Sequence, residues 1–361
     1  MKMIFFKQSH GKGGSDMNAN TNLTVVGIDI AKNVFQLHWA DPSTGEVIRK
    51  QLTRAKMLQF FANREKCLIG MEACGSAHYW ARELIKLGHE VKLMPGEDVK
   101  AFKRGNKSDV RDAEAIWLAT QVNSPRKVAV KTEEQQAILA VHRIRELKVK
   151  QRTAEINQIR GILMEFGLVT ARGHKAIRQW LPHALDSLQE RVPRIALKAL
   201  SQLWSDVQQL DRQIKELEDD LKSWAKEQPN CQRLMQIPGV ATLTSTATVA
   251  TVGNAKAFKN GRQFAAFLGI APRHKGSGGK IEVLGMSKRG DGYVRKLIIH
   301  GARSVVTLSK EPPKMVMRLK KNHCTNKVIG AMANKMARIM WPLMAHEVCY
   351  VKDYVPVEYR K

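Results

Sequence analysis

Short apolar runs alternate with segments of helical periodicity from residue 24 to about residue 122, and this alternation constrains the fold more than any other feature of the chain. The predicted strands are residues 24–29, 34–40, 45–52, 67–71 and 90–94. The predicted helices are residues 54–63, 77–87 and 108–121. Alternation of this kind is typical of a layered α/β structure, in which helices cover a sheet. The sequence therefore predicts an α/β domain over residues 24–125.

The order of these elements narrows the prediction. Three strands followed by helix, strand, helix, strand and helix is the order of a ribonuclease-H-like, or RuvC-like, domain with a mixed sheet. Residues 1–23 before it form a predicted disordered tail, in which Met17 is an alternative natural start. Asn123-Ser124-Pro125 ends the domain, because this run breaks both helices and strands.

The segment at residues 130–228 is helix-rich, polar and charged, and one stretch of it has a regular apolar seam. Seven apolar residues follow heptad steps of four and three: Leu203, Val207, Leu210, Ile214, Leu217, Leu221 and Trp224. A shorter apolar stripe lies upstream at Ile156, Ile159, Leu163 and Phe166. The seam predicts either a dimerising coiled coil or an antiparallel hairpin within one chain, and the pattern does not choose between them.

Pro229 marks a second boundary, after which residues 229–361 are predicted to form a mainly helical domain around a Gly-rich insert. The domain opens on the segment 237–240, Ile-Pro-Gly-Val, which resembles the turn of a helix-hairpin-helix motif. Backbone N–H groups of such a turn can hold a phosphate. A Pro-Gly turn between helices is more often only a turn.

Four carboxylates lie where this topology ends strands and begins a helix. Asp29 ends the first strand and Glu72 ends a central one, while Asp109 and Asp112 are three residues apart behind Ser108 and share a helix face. Hard oxygen ligands suit Mg²⁺ or Mn²⁺, and two-metal phosphoryl transfer needs acids that converge on ions about 3.5–4 Å apart. Each acid also has a structural alternative: a strand-end turn, a solvated side chain, or a first-turn acid behind a Ser108 N-cap.

The charge of the chain indicates the partner. It has 361 residues with 60 Lys+Arg against 33 Asp+Glu, a net charge of +27, and the basic residues are spread over its whole length. Phosphate neutralisation with counterion release makes a nucleic acid the expected partner. A ribosome-like structural protein would share this charge, so the acids must decide between the two classes.

Cysteine usage and hydropathy indicate the compartment. The five cysteines are odd in number and have no metal-ligand spacing, which disfavours a disulfide framework and a zinc site. The opening apolar run at residues 3–6 is too short for a signal peptide, and no later apolar run would cross a bilayer. We therefore expect a cytoplasmic protein without a membrane partner.

The Gly-rich insert contains a serine in a basic setting. Ser277 stands in the run Gly-Ser-Gly-Gly-Lys at residues 276–280, where glycines let a phosphate approach the hydroxyl closely. The candidate phosphate-binding side chains are Lys280, Lys288, Arg289 and Arg295. A serine in such a loop is most often part of a linker, and the spacing offers no His/Asp triad, so a nucleophilic Ser277 would need a metal or a nearby acid.

Taken together, these motifs resemble the DEDD-type insertion-sequence transposases, a family of bridge-RNA-guided recombinases with a RuvC-like N-terminal domain and a C-terminal serine domain. The matching segments are residues 26–32, 70–75, 106–113, 237–240, 277–280, 288–291 and 295. None is specific alone, but jointly they cover the chain from about residue 24 to its last helices. Relatives often have two serines before the Gly-Gly pair, whereas Gly276 stands at the first position here and leaves Ser277 as the single candidate.

The resemblance implies a DNA recombinase that acts on the ends of its own mobile element. It implies that Asp29, Glu72, Asp109 and Asp112 hold Mg²⁺ (or Mn²⁺), and that Ser277 forms a phosphoserine link to DNA. It further implies a homo-oligomer, a dimer or tetramer, in which the metal domain of one protomer meets the serine domain of another. A structured guide RNA would pair with donor and target DNA, leaving the protein to recognise backbone shape.

Three other classes stay open at the level of sequence. A RuvC-like hydrolytic nuclease, such as a junction resolvase, would use the four acids with water as nucleophile and would not need Ser277. A sugar-kinase-like ATPase would use the strand end at residues 27–30, but the chain has no second Gly-rich phosphate hairpin of the Asp-x-Gly-Gly-Thr kind. An RNA chaperone would account for the charge but not for the ordered acids.

Overall fold

The structure is a computed structural model that describes residues 23–103, 108–122, 128–171, 173–184, 188, 191–277 and 280–352. The chain divides into two compact units, Met1–Val130 and Lys131–Lys361. Nearly all of the predicted tail at residues 1–23 and the predicted break at 123–125 lie outside the described residues. The finer division of the second unit at Pro229 stays a prediction.

The first unit is a mixed α/β structure built on one sheet. Its strands are β1 (Thr24–Ile30), β2 (Val34–Ala40), β3 (Val47–Thr53), β4 (Cys67–Glu72) and β5 (Glu90–Met94). Its helices are α1 (Met57–Ala62), α2 (Ala77–Lys86), α3 (Gly96–Lys100) and α4 (Asp109–Gln121). The five predicted strands and three predicted helices are all present, with shifts of a few residues at their ends. Helix α3 was not predicted, because five residues are too few to show a helical period.

The strand order β3-β2-β1-β4-β5 places the first strand at the centre of the sheet. β1 and β2 pair antiparallel, as do β2 and β3, whereas β4 runs parallel to β1 and β5 runs parallel to β4. Ile28 of β1 lies opposite Met71 of β4, and both are completely buried. The next residue of each strand is Asp29 or Glu72, so these two acids leave the sheet at the same edge and the same level.

The second unit is mostly helical. Its helices are α5 (Glu133–Glu165), α6 (His174–Ala184), α7 (Arg194–Glu227), α8 (Pro229–Met235), α9 (Thr242–Val252), α10 (Gly261–Phe267), α11 (Gly292–Leu308), α12 (Lys314–Lys320) and α13 (Thr325–Ala345). The Gly-rich insert is not only a loop, since β6 (Pro272–Ser277) and β7 (Lys280–Met286) pair antiparallel. Most side chains described on this hairpin are exposed, so no buried face imposes the period of two that would have predicted it.

Helices α5 and α7 pack side by side in opposite directions within one chain. Arg145 of α5 pairs with Glu218 of α7, and Arg152, two turns further along α5, pairs with Asp211, two turns back along α7. All seven residues of the predicted heptad seam lie in α7, and none of them is exposed. The intramolecular alternative is therefore present, while a coiled coil between chains stays a prediction.

The turn at residues 237–240 joins α8 to α9 and packs against α11. Gly239 has a φ of +84°, and a Cβ at this position would lie 2.5 Å from the carbonyl oxygen of Gly301 in α11. Gly301 is equally restricted, because its Cβ would lie 2.0 Å from the Gly239 carbonyl oxygen. These two glycines let the backbones touch, which gives the turn a packing role; phosphate binding there stays a prediction. Among the described helices, none is long and apolar enough to cross a membrane.

Candidate active site

Three of the four predicted carboxylates converge at the end of the central strand. Asp29 at the end of β1 and Asp109 and Asp112 in the first turn of α4 each offer an oxygen, and these oxygens lie within 4.8 Å of one another. Asp112 is buried, Asp29 is half-buried and Asp109 is exposed, so the cluster has an open side. The convergence joins two elements that are separated by about eighty residues of sequence.

Two glycines on the sheet allow α4 to reach this position. Gly27 and Gly70 lie opposite each other on β1 and β4. A Cβ at Gly27 would lie 2.5 Å from both the Ala113 carbonyl oxygen and the Trp117 backbone nitrogen, and a Cβ at Gly70 would lie 1.7 Å from Thr120 Oγ1. The helix thus packs directly on the backbone of the sheet. Any side chain at Gly27 would push α4, and the acids in its first turn, away from Asp29.

The start of α4 fixes the two helical acids. Ser108 has extended backbone dihedrals and its side-chain oxygen accepts a hydrogen bond from the Arg111 backbone N–H at 3.4 Å, so the predicted N-cap is present. Asp109 and Asp112 follow in the first turn, where the N-terminal end of the helix dipole favours negative charge. The N-cap and the convergence with Asp29 occur together, so the structural alternative does not exclude a metal site.

The electrostatics of the cluster are those of carboxylates that repel one another. Burial, together with the smaller effects of the neighbouring charges of Asp112 and Asp109, raises the pKa of Asp29 from 3.8 to about 6. Lys103 opposes the shift: its Nζ lies 2.9 Å from Asp112 Oδ1, and this hydrogen bond raises the pKa of Lys103 in turn. One lysine does not balance three acids, so the cluster keeps an excess of negative charge.

Glu72 lies beside this cluster and not within it. Its Oε1 is next to Gly96, the first residue of α3, where an added Cβ would lie 2.6 Å from that oxygen. The charge of Glu72 still raises the pKa of Asp29. The pKa of Cys74 is raised mainly by burial and, to a smaller extent, by the charge of Glu72. Glu72 is thus near enough to act on the other acids, with its carboxylate outside the group of three.

The donor set fits a hard divalent cation. The three residues offer carboxylate oxygens, the ligands that Mg²⁺ and Mn²⁺ prefer, and the open side leaves room for waters or a substrate oxygen. Magnesium–oxygen bonds of about 2.0–2.1 Å require opposite ligands to be about 4 Å apart, so small side-chain rotations are enough. Burial and the charges of Asp112 and Asp109 raise the pKa of Asp29, and a bound cation would oppose both effects. The site is therefore compatible with a divalent metal ion.

Ser277 belongs to the other unit, at the last position of β6. It pairs with Lys280 across the hairpin, and residues 278–279 between them lie outside the described part of the chain. The side chains of Ser277 and Lys280 are likewise not described. Arg273, His274 and Lys275 precede the serine on β6 and are exposed. The hairpin therefore presents positive charge next to the candidate nucleophile.

The remaining predicted phosphate ligands lie in and around the loop between β7 and α11. Lys288 has a positive φ of 55°, and its N–H donates to the Gly269 carbonyl at 3.1 Å. Arg295 Nη1 donates to the Lys288 carbonyl at 3.0 Å, so Arg295 holds the loop in shape. Lys288 and Arg289 are exposed. A role for these three residues in nucleic-acid binding stays a prediction.

Two family models match the chain. One, described as "Transposase", matches residues 26–167, which include all four predicted acids. The other, described as "Transposase IS116/IS110/IS902 family", matches residues 231–316, which include Ser277 and the loop before α11. The chain belongs to the DEDD-type IS110 family of transposases. It is accordingly an enzyme of DNA transposition, and DNA is its partner.

Curated relatives agree with this family over nearly their whole length. The chain is 42% identical to a "Probable family 20 transposase" of Pseudomonas aeruginosa, over 91% of this chain and 99% of the relative. It is 35% identical to the "Transposase for insertion sequence element IS1328" of Yersinia enterocolitica, over 92% and 99%. It is 37% identical to the "Transposase for insertion sequence element IS1111A" of Coxiella burnetii, over 91% and 92%.

Sequence reasoning missed the residues that support the acids. Lys103 belongs to no motif, and its pairing with Asp112 depends on tertiary structure. Gly27 and Gly70 lie in the matching segments 26–32 and 70–75, yet their role follows from a strand register that puts both beneath α4. A glycine two residues before each strand-end acid was the available signal, since glycine in a strand interior indicates close backbone approach.

Proposed function

We propose that this transposase cuts and rejoins DNA at the ends of its own insertion sequence, using a metal site of Asp29, Glu72, Asp109 and Asp112 and a nucleophilic Ser277. The observation that carries the proposal is the convergence of Asp29, Asp109 and Asp112 at one sheet edge of a chain with a net charge of +27. Clustered and partly buried carboxylates repel one another, and a bound cation would offset that repulsion. The strand order β3-β2-β1-β4-β5 also supports a ribonuclease-H-like, RuvC-like fold for the first unit.

The carboxylates would hold Mg²⁺ or Mn²⁺ at the open side of the cluster. When bound, such an ion supplies charge stabilisation for a phosphoryl oxygen. Asp29 and Asp112 fix the position from the buried side, and Asp109 faces the substrate side. Glu72, whose carboxylate lies next to Gly96 of α3, would contribute negative charge. Lys103 would exchange its contact with Asp112 for a contact with the DNA phosphate as the cluster loses its excess charge.

Ser277 would transfer the strand without loss of phosphoester bonds. Its Oγ forms a bond to the phosphorus, the bond from that phosphorus to one strand oxygen breaks, and the released strand oxygen takes up the proton that the serine gives up. The strand end stays attached through phosphoserine. Reversal of the step by a new strand oxygen rejoins DNA and needs no external energy source. Lys280, Lys288, Arg289 and Arg295 would hold the non-bridging oxygens.

The two halves of this site lie in different units, and we propose that they meet between subunits of a dimer or tetramer. Coiled-coil association through helices α5 and α7 would hold these subunits together. A structured guide RNA would select donor and target DNA, with the protein binding the backbone. The reaction belongs in the cytoplasm, at the bacterial nucleoid, where its DNA substrate lies.

A denaturing gel tests the proposal most simply. The full chain is incubated with labelled ends of its element, the flanking transcript and Mg²⁺, and DNA-linked protein is then separated from free DNA. We expect a protein–DNA band that disappears in Ser277→Ala and in Asp112→Asn. Ser309→Ala, an exposed serine at the end of α11, and Glu65→Gln, an exposed acid of the first unit, are the matched controls and should keep the band.

The pattern of losses separates the mechanisms. If Ser277→Ala loses the band but keeps metal-dependent nicking, the alternative of a RuvC-like hydrolytic nuclease replaces the recombinase. If Asp112→Asn keeps the band, the acids do not serve the chemistry. If the band also persists in EDTA, the metal assignment is wrong. If the wild-type protein loses the band when only the transcript is left out, that loss would support the guide RNA.

A further inference from the structure

A cleft in the second unit is lined mainly by cations that the proposed chemistry does not use. It has a volume of about 370 Å³ and lies where α5, α6 and α7 come together. Its charged lining residues are Arg152 of α5, Arg178 of α6, and Asp211, Arg212, Lys215 and Glu218 of α7.

The two carboxylates of the cleft are already neutralised. Asp211 accepts from Arg152 Nη1 at 2.8 Å and pairs with Arg178 as well. Glu218 pairs with Arg145, whose Nε lies 2.8 Å from Glu218 Oε1. Four cationic side chains line the cleft with two carboxylates, so the cleft keeps two positive charges. Arg212 and Lys215 stand one helical turn apart on the exposed face of α7 and supply the part of this excess that solvent reaches.

Buried donors near the cleft also lack partners. Within the part of the chain that the structure describes, Arg152 Nε and Arg160 Nε of α5 are buried donors without a hydrogen-bond partner, and the buried atoms Glu155 Oε2 and His174 Nε2 have none either. A buried polar atom without a partner costs about 1–3 kcal/mol, so such atoms need an explanation. Burial lowers the pKa of His174, the charges of Arg152 and Arg178 lower it further, and the charge of Asp211 opposes them.

We infer that this cleft of the helical hairpin binds the sugar-phosphate backbone of a nucleic acid. Arginine forks match phosphate oxygens in pairs, and an excess of two positive charges in the cleft suits an anion. Because the enzyme acts on DNA, a phosphodiester is the anion it meets at high local concentration. The strand is DNA or RNA, since both present the same phosphate. The inference rests on family membership and not on the chemistry proposed for Ser277 and the carboxylates.

Neutralising the two exposed cations tests the inference without disturbing the buried pairs. The full chain with Arg212→Gln and Lys215→Gln is titrated, in EDTA, against labelled duplex DNA and against RNA of the same sequence, with fluorescence anisotropy as the readout. Glutamine is a good helix former, so α7 is kept. We expect about a tenfold weaker affinity for at least one nucleic acid near 0.1 M salt, and a salt slope that falls by about 0.7–0.9 for each lost phosphate contact.

The matched control changes the same charge on the same helix. Lys222 and Lys226 are exposed residues of α7 outside the cleft, and Lys222→Gln with Lys226→Gln should weaken binding by less than about twofold. The nucleic acid that loses affinity in the cleft variant identifies the strand. Equal losses of affinity in both variants would mean that only the total charge matters, and would overturn the inference. Unchanged affinity and salt slope of the cleft variant for both DNA and RNA would overturn it as well. Because the titration contains no divalent metal, its outcome does not depend on Ser277 or the carboxylates.

Discussion

Replacing Asp29 by asparagine should stabilise the protein while removing its activity. The pKa of Asp29 is raised from 3.8 to about 6, so at pH 8 the folded state holds a charge that burial and two neighbouring carboxylates disfavour. The sign follows from linkage: the folded state binds a proton more tightly than the unfolded state, and stability is therefore lost as pH rises from about 4 to above 6. Asparagine keeps the shape of the side chain and removes the charge.

The size of the effect is bounded by the shift. At about 1.4 kcal/mol per pKa unit, the full shift corresponds to about 3 kcal/mol. Asp29 is only half-buried, and solvent screens part of the repulsion, so we expect a gain of about 1–2 kcal/mol in the free energy of unfolding at pH 8. At pH 4.5 the gain should shrink to less than half, because the wild-type carboxyl is then mostly protonated in the folded state.

Urea unfolding in EDTA, followed by tryptophan fluorescence and circular dichroism at both pH values, measures this difference. Trp39, Trp80 and Trp117 report on the first unit. Glu65→Gln removes an exposed carboxylate from the same unit and should leave stability within about 0.5 kcal/mol. Replacing the EDTA by Mg²⁺ should stabilise the wild type by mass action and Asp29→Asn much less. An Asp29→Asn variant that is no more stable than wild type at pH 8 would refute the account of carboxylate repulsion.

Three further predictions concern the surroundings of the site and the second unit. Gly27→Ala should abolish activity and destabilise the fold by about 2–4 kcal/mol, because its Cβ would meet the α4 backbone; activity surviving in a thermally unchanged variant would contradict the close packing. Lys103→Met should bind Mn²⁺ several-fold more tightly in a calorimetric titration, since it removes the positive charge next to Asp112; weaker binding would mean that Lys103 does not oppose the ion. Burial lowers the pKa of His142 from 6.5 to about 4, so the stability that neutral His142 contributes is complete above about pH 6.5 and should fall by about 3 kcal/mol towards pH 4. His142→Gln should flatten this part of the curve of unfolding free energy against pH, and an unchanged curve would refute the lowered pKa of His142.

The first unit was predictable because its sequence has strong local periods. β1 and β4 are short apolar runs that end in an acid, and that pattern gave both the strands and the positions of Asp29 and Glu72. Asp109 and Asp112 followed from helical spacing behind a capping serine. The carboxylate of Glu72 was expected among the other three and instead turns towards Gly96, since its direction depends on α3, a helix too short to predict.

The second unit shows where local patterns end. The heptad seam predicted which face of α7 is buried. Only the pairing of Arg145 with Glu218 and of Arg152 with Asp211 in the structure shows that α5 covers this face. The serine hairpin was hidden because its strands are mostly exposed and rich in glycine. The cationic cleft is formed by three helices from distant positions, so no window of sequence contains it.

The central claim is that Asp29, Asp109 and Asp112 bind one divalent cation. Crystals grown with Mn²⁺ and measured at the manganese absorption edge test it directly. We predict an anomalous peak about 2.2 Å from a carboxylate oxygen of each of the three residues. The peak should be lost in Asp112→Asn. Absence of any peak at these oxygens at saturating Mn²⁺, in crystals of a protein that joins DNA in a Mn²⁺-dependent manner, would contradict the account.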